Sequence, residues 1–276
     1  MNQFSDHDMP FLRQILSEAG TAEIMPRFRG LAAGSVAEKK SSIDLVTEAD
    51  LLSEKAITEA IRTKFADALI VGEEASEANP GLISALKDAD LAFVIDPVDG
   101  TFNFQAGLPV FGINLAVVRR GETVAGLIHD PVLGDTLTAV KGGGARLLRA
   151  AGAEEICGVR SADLLHDMVG TISINDIDRD NRRRIAANLA KTRMAFAYNC
   201  SAYEYWLVAT GKVHFIGHHK LMPWDHLAGV LIHQEAGGVT AKFDGSKYRP
   251  GDISGGILSA PDAESWNMIL REIVRA

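Results

Sequence analysis

Residues 91–104 read LAFVIDPVDGTFNF. The apolar run from Leu91 to Ile95 has the length of a buried strand, and Pro97, lacking an N–H, cannot extend a sheet ladder. The strand is therefore expected to end at Asp96, so that Asp96 and Asp99 emerge together at its C-terminal edge. Gly100 and Thr101 follow at the start of a turn or helix, where backbone N–H groups can receive phosphate oxygens. Carboxylates three residues apart beside such amides suit a hard divalent cation and a phosphate. The plainer reading is an Asp-Gly turn with Asp96 as a cap.

Outward from this stretch, the chain divides by pattern. On the N-terminal side, Phe11, Ile15, Ala19, Ala22 and Met25 recur at helical spacing over residues 8–33. A second helix is expected after Thr47-Glu48-Ala49-Asp50, with Leu51, Leu52, Ala56, Ile57, Ala60 and Ile61 as its buried stripe and Asp50 near its N-terminus. Between them, residues 37–42 are polar and read as a mobile loop or an edge hairpin. From residue 68 onward, short apolar runs bounded by Gly, Asp and Pro read as strands at 68–72, 91–96, 111–120, 123–132 and 135–145. Arg119-Arg120-Gly121-Glu122 reads as a hairpin turn. The first half is thus helices on a largely antiparallel sheet.

Gly142-Gly143-Gly144 and the polar residues after them mark a domain junction within 145–156. The resulting division is 1–150, carrying most of the acids, and 151–276, carrying Asp225. Beyond the junction, strands (168–174, 194–199, 213–217, 238–243) alternate with helices (178–191, 202–210, 223–236), the pattern of an α/β layer.

Two further acids occupy equivalent places. Glu73 follows the apolar run ending at Gly72, and Asp225 begins the apolar helix Trp224-Asp225-His226-Leu227-Ala228-Gly229. Singly, Glu73 reads as a solvated loop acid and Asp225 as a helix cap. Together with Asp96 and Asp99 they are four carboxylates at strand ends or helix starts, where α/β architectures gather site residues.

With these residues in view, the chain resembles the inositol monophosphatase family. Asp44-Leu45-Val46-Thr47-Glu48-Ala49-Asp50, Gly72-Glu73-Glu74, Asp96 to Phe104, and Trp224 to Gly229 look like its motifs in order, and the likeness runs from about residue 8 to the C-terminus. The resemblance implies an αβαβα layered sandwich, of the type shared with fructose-1,6-bisphosphatase, and a Mg²⁺-dependent, lithium-sensitive phosphatase that is often a homodimer. It implies that Glu73, Asp96 and the Val98 carbonyl hold a first Mg²⁺ and that Asp96, Asp99 and Asp225 hold a second, with a third ion near Glu73. It assigns Asp50 and Thr101 to the attacking water, and Gly100 and Thr101 to the phosphate. On the same footing, Asp99, Asp225 and Ser201 are the expected substrate-side contacts, and Lys39 matches a lysine of the family's metal loop. The chemistry agrees, because metal ions neutralise the ester and lower the pKa of a bound water, and no protein nucleophile is required.

Three departures concern substrate, the first being Asn199-Cys200-Ser201-Ala202, which stands where inositol-specific members commonly carry a small, Gly-containing segment. Phe102 stands where many members carry Thr or Ser, and Val213 to Pro223 contains no acid where the family's inositol-contacting Glu is expected. Inositol 1-phosphate is the default substrate, with a 3'(2'),5'-bisphosphate nucleotide or fructose 1,6-bisphosphate as alternatives. A non-catalytic metal-binding regulatory protein is the reading from another class.

Competing motifs fit less well. An aspartyl-phosphate phosphatase places its acids two apart, not three, and has no use for Glu73. An EF-hand counted from Asp96 puts Val98, Gly100 and Phe102 at ligand positions and Gly107 at the bidentate Glu position. The histidines at 214, 218, 219, 226 and 233 show no HExxH pattern and read as core or surface residues rather than a zinc site. Across all 276 residues, 36 Asp and Glu outweigh 28 Lys and Arg, a net charge of −8, which argues against nucleic acid as the main partner. No apolar stretch reaches membrane-spanning length, and the N-terminus lacks a signal-peptide pattern. Cys157 and Cys200 show no metal spacing and read as core fillers. A cytoplasmic protein without a membrane partner is the resulting expectation.

Overall fold

The computed structural model describes residues 4–30, 36–41 and 44–276. Its strands are β1 (Val36–Ser41), β2 (Asp44–Thr47), β3 (Leu69–Gly72), β4 (Ala92–Asp99), β5 (Gly112–Arg119), β6 (Glu122–His129), β7 (Thr136–Val140), β8 (Ala145–Leu148), β9 (Glu154–Ile156), β10 (Val169–Ile172), β11 (Met194–Ala195), β12 (Phe215–His218), β13 (Val239–Lys242) and β14 (Ile257–Ala260). The helices are α1 (Met9–Ala19), α2 (Glu48–Lys64), α3 (Glu73–Ala78), α4 (Gly81–Ala85), α5 (Thr101–Gln105), α6 (Arg179–Leu189), α7 (Ser201–Ala209), α8 (Pro223–Glu235) and α9 (Ala263–Ile269).

Two larger sheets carry the molecule. Strands β3 to β9 form one in sequence order, antiparallel except for the parallel β3/β4 pair, and β11-β10-β12-β14-β13 form the other. Along β4, side chains alternate between faces as the pleat requires. Phe93 and Ile95 join the core under α1 and α2, while Ala92 and Val94 face the core shared with α7 and α8. The second sheet closes the other side of α7 and α8, and α6 and α9 cover its outer face in a third core around Phe215, Leu258 and Trp266. The layers run α, β, α, β, α.

Several expectations change. Strand β4 does not stop at Asp96 but continues to Asp99, with a register shift against β5 between the Asp96–Asn114 and Asp99–Gly112 pairs. Pro97 sits within that irregularity, where its missing N–H costs no regular ladder bond. The expected junction over 145–156 lies inside the first sheet, because β8 pairs onto β7 and β9 onto β8; the change of sheet comes after Ile156. Helix α1 is shorter than residues 8–33, passing into a π turn (Gly20–Ile24) and a 3-10 turn (Met25–Arg27) near Pro26, and residues 31–33 lie outside the described residues. Leu51 is 54% exposed, so the α2 stripe runs instead through Ala49, Ser53, Ile57 and Ile61.

The hairpin alternative for the polar segment after α1 matches the antiparallel β1/β2 pair. The β5/β6 turn forms at Arg120 (φ 50°) and Gly121 (φ 74°), both left-handed, which suits the strand twist of a tight hairpin. β14 and α9 had no place in the sequence pattern, yet β14 lies between β12 and β13. Among the described residues no helix is long and apolar enough to cross a membrane.

Candidate active site

The parallel β3/β4 pair brings the first acids together. Gly72, the last residue of β3, is opposite Ile95, so Glu73 and Asp96 leave the same sheet edge side by side. The shift around Pro97 then turns Asp99 into the protein, where it is 8% exposed against 2% for Asp96. From the opposite layer, Asp225 arrives in the first turn of α8.

Burial pushes the Asp96 carboxyl well above the usual carboxylate range, and the nearby charges of Glu73, Asp99, Asp225 and Asp50 push it further. Asp225 is raised well above it too, by burial and then by Asp99 and Glu73, against the pull of Lys220 and a hydrogen bond with Asp96. Like charges gathered away from water hold protons unless a cation replaces them.

Asp50 occupies the third position of α2 and closes a capping box. Its Oδ2 accepts from Thr47 N at 2.8 Å and Thr47 Oγ1 at 2.5 Å. Its Oδ1 lies 3.2 Å from Thr101 Oγ1, which is also 3.0 Å from the Val98 carbonyl. Thr101 begins α5 behind Gly100, whose φ of +94° is left-handed, and a Cβ there would stand 2.8 Å from the Val110 carbonyl. The short helix is fixed from behind: Asn103 Nδ2 donates to Val110 O at 2.9 Å and Tyr198 O at 2.7 Å, and Phe104 meets Phe111 edge to face at 5.0 Å.

Asp99 is held at the start of α7. Its Oδ1 accepts from Ser201 N at 3.1 Å, while Oδ2 accepts from Ala202 N, from Asn114 Nδ2 at 3.1 Å and from Ser201 Oγ at 2.6 Å. Burial raises the Asp99 carboxyl, and these donors, the Ser201 hydroxyl foremost, work against that rise. Ser201, expected on the substrate, has its hydroxyl oxygen between Asp99 Oδ2 and the Asp225 carbonyl, 2.8 Å from the latter. Its one hydrogen is thereby used inside the protein. Lys39 lies on β1, its side chain outside the described residues.

His226 and His233 are internal hydrogen-bonding groups. His226 Nε2 is 3.0 Å from the Lys220 carbonyl, which can only accept, so this nitrogen carries the proton. Burial holds His226 down to about 4, so the ring is neutral and its Nδ1 accepts from the Tyr205 hydroxyl at 3.2 Å. His233 Nδ1 lies 2.8 Å from Thr240 Oγ1, which is 2.8 Å from Ser259 Oγ, tying α8 to β13 and β14. Cys200 is buried with its thiol pushed well up, and burial pushes Cys157 up to about 11, so neither is a thiolate at neutral pH.

Among the described residues no three His, Cys, Asp or Glu side chains stand as a ready-made ligand cluster, Asp99 being turned onto α7. The donor chemistry fits a divalent cation nevertheless: the donors are all oxygen, largely buried, and raised in proton affinity by one another. Beside these acids opens a cavity of about 480 Å³ between β10, α7, β12 and the start of α8.

The sequence pattern of the inositol monophosphatase family matches residues 9–275. The chain belongs to the inositol monophosphatase family. A Thermotoga maritima protein named fructose-1,6-bisphosphatase/inositol-1-monophosphatase is 35% identical over 218 residues, covering 76% of each chain. A Pasteurella multocida protein named Nus factor SuhB is 34% identical over 211 residues, 75% of this chain and 74% of that one. The solved Thermotoga maritima IMPase superposes with a TM-score of 0.79 at 28% identity, covering 98% of this chain and 96% of that one. As a member of the inositol monophosphatase family this protein is a phosphatase for a small phosphorylated substrate, in a family that is generally metal-dependent.

Asn114, Asn103 and Glu204 were missed from sequence. Asn114 reads as one more residue of an apolar strand, and only its pairing opposite Asp96 reveals it.

Proposed function

We propose that this phosphatase is a Mg²⁺-dependent phosphomonoesterase whose default substrate is inositol 1-phosphate, and that water, not a protein side chain, attacks phosphorus. The observation that supports this most is the Thr101 hydroxyl held 3.2 Å from Asp50 Oδ1 at the edge of the Asp96 cluster. A hydroxyl that donates to Asp50 keeps a lone pair to accept a hydrogen from water, and so orients that water's own lone pair toward the ester. Glu73, Asp96, Asp99, Asp225 and the Val98 carbonyl would hold two or three Mg²⁺. When bound, the metal would neutralise the ester and lower the pKa of a coordinated water. The amides of Gly100 and Thr101 are the proposed phosphate contacts, and Thr47 fixes Asp50 from the other side.

The resemblance extends the reading to lithium sensitivity and a homodimer, and the cysteine usage and N-terminal pattern extend it to the cytoplasm. A bisphosphatase activity is the second reading, favoured by the name of the Thermotoga maritima relative. Phosphate release from inositol 1-phosphate in Mg²⁺ and in EDTA tests the proposal. Turnover that persists without divalent metal contradicts it.

A further inference from the structure

Helix α2 carries a second buried acid that the proposed chemistry does not use. Glu54 lies one helical turn after Asp50 and is 8% exposed, a place where a carboxylate persists only when its oxygens are satisfied. Its Oε2 accepts from Glu74 N at 2.9 Å and its Oε1 from Ala75 N at 3.0 Å. Those amides belong to the second and third residues of α3, whose first residue is Glu73. First-turn amides find no acceptor inside their own helix, so Glu54 supplies one from another element.

The same carboxylate closes on the chain just before Glu73. A Cβ on Gly72 would stand 2.2 Å from Glu54 Cδ and 2.3 and 2.5 Å from its oxygens, so glycine is what lets β3 approach α2 this closely. Glu54 therefore grips the backbone on both sides of Glu73. Asp50 and Glu54, four residues apart, share one buried face of α2. One helix thus holds the Asp50–Thr101 pair and the start of α3 in a common frame.

We propose that Glu54 is a positioning residue: it fixes the α3 backbone so that the Glu73 carboxylate meets a divalent cation at the edge of the Asp96 cluster. The assignment rests on the reading of Glu73 as a metal ligand. Removing a group that orients a ligand commonly weakens metal binding about 10- to 100-fold, whereas a part in folding alone leaves affinity unchanged.

The molecule contains its own control. Glu235 likewise accepts from two amides, Gly142 N at 2.8 Å and Gly144 N at 2.9 Å, but at the opposite end of α8 from Asp225, about 15 Å along the helix.

The test titrates the full-length protein with Mg²⁺ alone, without substrate, following heat by calorimetry and melting temperature, for wild type, Glu54→Asp, Glu54→Gln and Glu235→Gln. Glu54→Asp keeps the charge one methylene short of the amides and is expected to weaken Mg²⁺ binding at least about tenfold. Glu54→Gln keeps the shape and one accepting oxygen, weakens binding by less, and serves as the readout if Glu54→Asp does not fold. Glu235→Gln is expected to melt lower in EDTA with its Mg²⁺ affinity unchanged. Wild-type affinity in Glu54→Asp beside a loss in Glu54→Gln indicates an effect of charge alone and overturns the proposal, as does a loss in Glu235→Gln equal to that of the Glu54 variants. A wild type that binds no Mg²⁺ overturns the metal reading together with the proposal. A wild type that binds Mg²⁺ beside Glu54 variants of unchanged affinity overturns the proposal alone.

Discussion

The Tyr205 hydroxyl donates to His226 Nδ1 at 3.2 Å while His226 Nε2 donates to the Lys220 carbonyl at 3.0 Å, so α7 fixes the approach to α8 one residue from Asp225. The packing is close: a Cβ at Gly229 would stand 2.1 Å from the Tyr205 ring. Tyr205→Phe keeps the ring and leaves His226 Nδ1 buried without a donor, a penalty of about 1–3 kcal/mol. Urea unfolding should register that loss. Because the Lys220 to Asp225 segment is loosened, kcat should fall as well; unchanged stability and kcat contradict this role.

Thr101 supplies a second prediction. Its hydroxyl sits between Asp50 Oδ1 and the Val98 carbonyl, so Thr101→Ala removes the group that orients water while leaving every carboxylate in place. The expected loss is about 10²- to 10⁴-fold in kcat, the range for a positioned proton-handling group. Thr101→Ser keeps the hydroxyl and should retain most activity. An inactive Thr101→Ser alongside an active Thr101→Ala reverses the assignment.

Stability should depend on pH in a direction set by the buried acids. Asp96, Asp225 and Glu204 all have folded-state pKa values above their ordinary ones, Glu204 reaching about 8 through burial and then Asp99. Over the interval between the ordinary and raised values the folded protein binds more protons than the unfolded chain, so their contribution is lost as pH rises. His226 and His233 act oppositely. Burial holds them near 4 and 3, so they contribute stability above their ordinary value of 6.5 and lose it as pH falls toward the folded values. Unfolded histidines are nearly all neutral only about one unit above 6.5, so from about pH 7.5 to about 8 the histidine contribution is almost constant and the acids dominate. In EDTA, unfolding free energy should fall over that interval, by up to about 1.4 kcal/mol per pH unit for each proton involved. Mg²⁺ should flatten the decline. A metal-free protein that gains stability from about pH 7.5 to about 8 contradicts the account.

Much of this site was legible in sequence because its acids follow apolar runs. Glu73 and Asp96 sit at or just beyond β3 and within β4, and strand ends are where a parallel pair delivers side chains to one edge. The motif order from Thr47 to Gly229 also pointed to the layered fold. What was not legible depends on register and on distant elements. Asn114 needs the pairing with Asp96 to be seen, and Ser201 changes meaning once Asp99 is found against the first turn of α7. Glu204 and His218 meet only because α7 and β12 pack together. Proline misled in one respect, since Pro97 is accommodated by an irregular register and the strand runs on to Asp99. Strand β14 is four residues long with glycines just before it, too short for a period to declare itself.

Asp96 is the side chain on which the account converges, since Glu73, Asp99, Asp225 and Asp50 all act on it. The most direct measurement is phosphate release from inositol 1-phosphate by wild type and Asp96→Asn, each in Mg²⁺ and in EDTA, with melting temperatures recorded in all four conditions. Wild type should turn over only with Mg²⁺ and melt higher with it. Asp96→Asn should lose at least about 100-fold in activity and most of the Mg²⁺-dependent rise in melting temperature, while melting no lower than wild type in EDTA at pH 8 because a buried like charge is gone. Wild-type turnover that is indifferent to EDTA, or an Asp96→Asn protein that keeps both its activity and its Mg²⁺ stabilisation, contradicts the account.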